Sequence, residues 1–101
     1  METITVVEGA VSAEMRKVLV DGYGSARGEA LPEGLLRTML IRAGEDEYQI
    51  ITVWESQEAL DRMRSMGKPK AVELFEAAGV KPTVKVFEMV SEIVASTAAD
   101  A

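Results

Sequence analysis

The sequence predicts one α+β domain whose elements run β-α-β-β-α-α-β. Three observations carry this reading: apolar and β-branched runs with a two-residue period, helix-spaced apolar residues opened by Ser or Pro and closed by Gly, and a length of 101 residues, which suits one domain.

Thr3 to Glu8 alternates β-branched residues and reads as the first strand. Ser12 is a candidate N-cap, with Glu14 in the first turn, and Met15, Val18, Leu19 and Gly22 follow at helical spacing. Tyr23 and Ala26 extend that face, while Gly22, Gly24 and Gly28 predict an early stop or a bend. Leu31-Pro32-Glu33-Gly34 is a turn. Leu35 to Arg42 is the second strand, Ala43 to Glu47 a hairpin loop, and Tyr48 to Trp54 the returning strand. Ser56 caps the next helix, which carries Leu60, Met63 and Met66 and stops at Gly67. Pro69 opens a third helix with Ala71, Val72, Leu74, Phe75 and Ala78, closed by Gly79. Val80 to Val90 is the last strand. Residues 1–94 are expected to form the domain and 95–101, small and polar, to fray. This order is the ferredoxin-like split βαβ pattern with its second crossover divided in two, so the sheet is expected to be antiparallel with the helices on one face.

Alternation assigns Leu35, Arg37, Met39 and Ile41 to one face of the second strand and Leu36, Thr38, Leu40 and Arg42 to the other. In the third strand Tyr48, Ile50, Thr52 and Trp54 oppose Ile51 and Val53, and in the last Val84, Val86 and Val90 oppose Phe87 and Met89. Both faces are mainly apolar, yet one helical layer covers only one of them. A homodimer that pairs the uncovered faces resolves this; the alternative is that Ser91 to Thr97 folds back over the sheet.

Composition excludes several function classes. The net charge is −6, with 17 acidic and 11 basic residues and no basic stripe, which disfavours nucleic acid and anionic membranes as partners. No apolar run approaches the roughly 20 residues of a membrane span. Met1-Glu2-Thr3 does not read as a signal peptide, and a cytoplasmic location is the default expectation. The chain lacks cysteine, histidine and asparagine. Disulfides, thiolate nucleophiles, zinc–thiolate sites, imidazole bases and histidine-based triads are thereby removed, and no metal site is expected. Glu45-Asp46-Glu47 lacks the ligand spacing of a calcium loop, and Gly22-Tyr23-Gly24 follows a helix pattern, not a strand.

The run Val53-Trp54-Glu55-Ser56-Gln57-Glu58-Ala59-Leu60 closes a strand and opens a helix. It resembles the antibiotic biosynthesis monooxygenase family, whose members share a W-E-S-x-E-A signature at that junction. Pro32-Glu33-Gly34-Leu35-Leu36 is similar to the family's entry into the second strand, and the likeness spans about residues 3–90. The resemblance implies a dimeric α+β barrel and, for some members, oxidation of polycyclic aromatic or polyketide substrates by dioxygen with no metal or flavin. Other members cleave haem. Only the tryptophan carries over, onto Trp54. The monooxygenases pair it with an asparagine and the haem-degrading branch uses a histidine on the following helix; this chain has neither, which counts most heavily against haem degradation.

The candidate catalytic residues are therefore Trp54, to stack on a flat substrate, and Arg37 or Tyr48, to stabilise its deprotonated oxygen. Met39, Ile50, Met63, Met66 and Phe75 are the candidate substrate-binding residues, an adaptable lining for an apolar or aromatic ligand. Each has a plainer reading: Trp54 as a core residue, Arg37 as an interface ion pair, Tyr48 as a hairpin-edge aromatic, the methionines as core filler. A general base is the awkward part, since only carboxylates such as Glu8 or Glu88, or the substrate's own acidity, can serve. The expectation is a cofactor-independent monooxygenase acting on an aromatic or polyketide-like small molecule. The alternatives are a non-catalytic dimeric ligand-binding protein of the same fold and a structural protein whose barrel is filled.

Overall fold

The computed structural model describes residues 1–95. Its elements are β1 (Thr3–Ala10), α1 (Arg16–Ser25) with a 3-10 turn at Ala26–Gly28, β2 (Leu35–Arg42), β3 (Glu47–Trp54), α2 (Gln57–Ser65), α3 (Lys70–Ala77) and β4 (Thr83–Glu88). The expected α+β order is present. The expected fraying at 96–101 lies outside the described residues.

The four strands form one sheet in the order β2-β3-β1-β4, and every neighbouring pair is antiparallel. All three helices lie on the face that carries Val7, Tyr48, Ile50 and Trp54. Local chemistry sets the element ends. Ser56 Oγ accepts from the Ala59 backbone N–H at 3.1 Å and starts α2. Ser12 Oγ accepts from the Met15 N–H at 3.3 Å, one turn ahead of α1, so it opens the turn that leads into the helix. Gly34 takes φ +90° in the turn before β2, a conformation that strains any residue with a Cβ. The last strand is shorter than expected, Thr83–Glu88 in place of Val80 to Val90. The Val80 N–H is bound to the Phe75 carbonyl at 3.0 Å, and Pro82 has no N–H to give the ladder.

The core divides in two. Val7, Val11, Leu19, Tyr48, Ile50, Leu74, Phe75 and Ala78 form a larger cluster under α1 and α3. Trp54, Ala59 and Leu60 form a smaller one under α2.

One irregularity re-aims half of a strand. Leu35 pairs with Trp54 but Arg37 pairs with Val53, so Leu36 is an extra residue, a β-bulge. Leu35 therefore faces the helices with Trp54, while Arg37, Met39 and Ile41 face away. The expected grouping of Leu35 with Arg37, Met39 and Ile41 is corrected by this bulge.

The far face of the sheet carries Ile4, Val6, Met39, Ile41, Ile51, Val53 and Phe87. Phe87 is 50% exposed and Met39 and Ile41 are each 37% exposed. Beyond β4, Glu92 reaches the Arg37 guanidinium at 3.3 Å. Ile93 and Val94 stay exposed, so the described part of this stretch does not bury its apolar side chains on the sheet. Among the described residues no helix is long and apolar enough to cross a membrane.

Candidate functional site

A cavity of about 120 Å³ lies between the sheet and the helices. Residues of both core clusters line it: Val7, Ile50 and Leu74 from the larger, Trp54 and Leu60 from the smaller. The division of the core is what leaves the space. Leu35 and Val84 add to the sheet side, and Tyr23, Met63, Ala71 and Val72 to the helix side. At the exposed edge stand Leu31, Pro32, Arg64 and Lys70.

The floor contains a polar rung. Strand register places Thr38, Thr52 and Thr5 side by side across β2, β3 and β1, and all three line the cavity. Thr52 and Thr5 are buried, each 6% exposed. The Thr38 and Thr52 hydroxyls are 3.1 Å apart and share one hydrogen bond. Thr5 Oγ1 accepts from the Trp54 indole N–H at 3.1 Å. Each hydroxyl has one hydrogen and two acceptor positions. The Thr5 hydrogen, and one of the two on the Thr38–Thr52 pair, are left for a ligand. Trp54 itself is 3% exposed and presents its ring to the cavity with its one donor already engaged. The rung fixes that ring: a buried indole N–H needs a partner, and Thr5 supplies it from the neighbouring strand.

The expected site residues part company here. Trp54, Ile50 and Met63 line the cavity together. Arg37 and Met39 do not, because the bulge at Leu36 turns them to the far face, where Arg37 pairs with Glu92. Tyr48 shares the Trp54 face but sits six residues away, about 20 Å along a strand. It is buried in the larger cluster and does not line the cavity. Phe75 is fully buried in the same cluster. Met66 lies just past the last turn of α2 and is 86% exposed. Neither carboxylate named as a base lines the cavity. Glu8 accepts from Lys85 Nζ at 2.9 Å and from the Gln49 amide at 2.9 Å. These two bonds, the Lys85 one first, hold its carboxyl below the ordinary carboxylate range. Among the described residues no group of three Asp, Glu, His or Cys side chains is placed to hold a metal.

Sequence reasoning missed the threonine rung and did not include Tyr23 among the site residues. The signal for the rung was present: a Thr on the buried face of each of three strands, where hydrocarbon would fill the core. Tyr23 is half-buried and lines the cavity from α1.

No family model matches the sequence, and no curated protein is similar to it by sequence search. Solved structures are similar throughout. SnoaB, a cofactor-independent oxygenase from Streptomyces nogalater, aligns over 91% of this chain and 96% of its own, in a mutant form, at 19% identity and a TM-score of 0.63. A Deinococcus radiodurans protein described as an antibiotic biosynthesis monooxygenase aligns over 93% and 98% at 18% identity and a TM-score of 0.63. This chain has the antibiotic biosynthesis monooxygenase fold. A haem-degrading protein of Mycobacterium tuberculosis has it too, at 22% identity and a TM-score of 0.67 over 93% of this chain and 100% of that one. Proteins with different chemistries thus share the monooxygenase fold, so the reaction has to be argued from the cavity.

Proposed function

We propose that the chain is a cofactor-independent monooxygenase that oxidises an aromatic or polyketide-like small molecule bound beside Trp54, and that it works as a homodimer. The observation that carries this is the apolar cavity itself: it lies against the Trp54 ring and has unspent hydroxyl hydrogens in its floor. An apolar enclosure strengthens hydrogen bonds to a developing negative oxygen. The roles first given to Arg37 and Tyr48 pass to Thr5 and the Thr38–Thr52 pair.

The chemistry balances without a further reductant. A substrate carbon bearing two hydrogens loses a proton, and the resulting anion is delocalised onto an oxygen that the threonines hold. The anion gives its electrons to dioxygen and a C–O bond forms. The hydroperoxide then loses water as its O–O bond breaks, so R₂CH₂ and O₂ become R₂C=O and H₂O. The substrate must ionise readily in water, because among the described residues no carboxylate lines the cavity.

The same observation favours a second reading. A cavity with no carboxylate base also suits a non-catalytic dimeric ligand-binding protein. Oxygen uptake decides between them. With an acidic anthrone or phenol, the first reading expects enzyme-dependent consumption of one O₂ per substrate, reduced in Thr52→Val. Saturable quenching of Trp54 by the same compounds without oxygen consumption would establish the second reading and overturn the first. The cavity beside Trp54 removes the support for a filled, purely structural barrel.

The homodimer reading is supported by the apolar far face, where Phe87, Met39 and Ile41 remain exposed.

A further inference from the structure

The rim of the cavity has a chemistry that its interior lacks. Apart from the threonine rung and the Tyr23 hydroxyl, the inner lining is hydrocarbon and aromatic ring. At the exposed edge, Arg64 in the last turn of α2 and Lys70 at the start of α3 border the same opening. Among the described residues no acidic one lines the cavity. Lys70 Nζ is 3.7 Å from the Glu29 carboxylate, and Arg62, two residues before Arg64, faces Glu33 at 3.7 Å. Arg64 has no ion pair and no side-chain hydrogen bond among the described residues. In a chain of net charge −6, Arg64 places an unpaired positive charge at an otherwise apolar opening, with the Glu29-paired Lys70 beside the same opening.

Size narrows the occupant further. A dry apolar cavity of about 150 Å³ accepts benzene. At about 120 Å³ this one encloses a single ring or a short chain, and anything larger extends past the open edge.

We propose that the cavity takes a small monocarboxylic acid, with one ring or a chain of about six carbons. Its apolar end lies toward Trp54, and its carboxylate is held at the rim by Arg64 with Lys70. The guanidinium offers a planar pair of donors that fits a carboxylate, and Lys70 adds a second charge from the facing helix end. The proposal rests on reading the Trp54 cavity as a small-molecule site and narrows the substrate class given above.

Isothermal titration calorimetry of the full chain at low salt tests it, with hexanoate and benzoate against the uncharged hexanamide and benzamide. The acids are expected to bind about tenfold more tightly than the amides, the size of one charge-assisted hydrogen bond. Arg64→Met, which keeps most of the stem, is expected to bring each acid to the affinity of its amide and leave the amides unchanged. Arg64→Lys is expected to keep part of the preference, and unchanged thermal melts confirm that both variants fold. Equal binding of acid and amide by the unaltered protein overturns the proposal, as does an acid preference that survives both Arg64→Met and Lys70→Met. A cavity that ignores these acids yet binds and oxidises an anthrone overturns the proposal and leaves the oxygenase reading standing. An acid preference that depends on Arg64 supports it whatever the oxygen-uptake test shows, since neither acid has a carbon that ionises readily in water.

Discussion

Replacing Thr5 by Val removes one hydroxyl from the floor of the cavity and keeps the side-chain volume nearly constant. Thr5 and Trp54 are 6% and 3% exposed, so water does not readily replace the lost acceptor. The indole N–H, now bound at 3.1 Å, is left unpaired. A buried donor without a partner costs about 1–3 kcal/mol. In a domain of this length each kcal/mol lowers Tm by about 4–8 °C. The expected loss is therefore about 2 kcal/mol, or roughly 8–16 °C. Thermal and urea unfolding, followed by far-UV circular dichroism at fixed protein concentration, measure it. Trp54→Phe and the double variant complete a cycle, and the pair should couple by about 1 kcal/mol or more. A loss for Thr5→Val under about 0.5 kcal/mol, together with no coupling, would refute the claim that the rung fixes the ring.

Ala71→Leu adds three carbons to the cavity wall and is expected to abolish hexanoate binding by calorimetry while Tm holds or rises, because the space it fills is empty hydrocarbon. Glu8 has a carboxyl held below the ordinary range first by its bond to Lys85 and then by its bond to Gln49. Its contribution is thus present above the ordinary carboxylate value and lost as pH falls through the lower, folded value. Between neutral pH and about pH 3, Glu8→Gln should lose less Tm than the unaltered chain, and an identical pH profile would sink this assignment. Phe87→Glu places a charge in the exposed apolar patch on the far face of the sheet, and sedimentation should show a shift from dimer to monomer with the far-UV spectrum preserved.

The elements and their order were legible because each had its own local marker. Ser56, Gly67, Pro69 and Gly79 mark the helices, and the two-residue period marks the strands. The faces of β3 were legible for the same reason: Tyr48, Ile50, Thr52 and Trp54 form one unbroken buried series. The faces of β2 were not, since nothing in Leu35-Leu36-Arg37 distinguishes a regular strand from a bulged one; the backbone deviation depends on pairing with Trp54 and Val53 on the neighbouring strand, beyond the reach of local propensity. That slip carried Arg37 and Met39 into the expected site. Tyr48 and Phe75 were misplaced for another reason. Periodicity reports which residues are buried but not whether a void adjoins them, and both pack into the larger cluster. Arg64 and Lys70 lie on separate helices, and only the tertiary geometry sets them on one opening.

The extra residue at Leu36 also separates two design problems within a single strand. On its N-terminal side, Leu35 and the turn through Pro32 and Gly34 answer to the cavity and its rim. On its C-terminal side, Arg37, Met39 and Ile41 answer to the opposite surface of the sheet. Deleting Leu36 would leave Leu35 opposite Trp54 and Arg37 opposite Val53 as consecutive rungs of one regular ladder, and the break between the two segments would vanish. The strand is thus two short rulers joined out of step, and substitutions that tune ligand fit can accumulate on one without disturbing what the other meets.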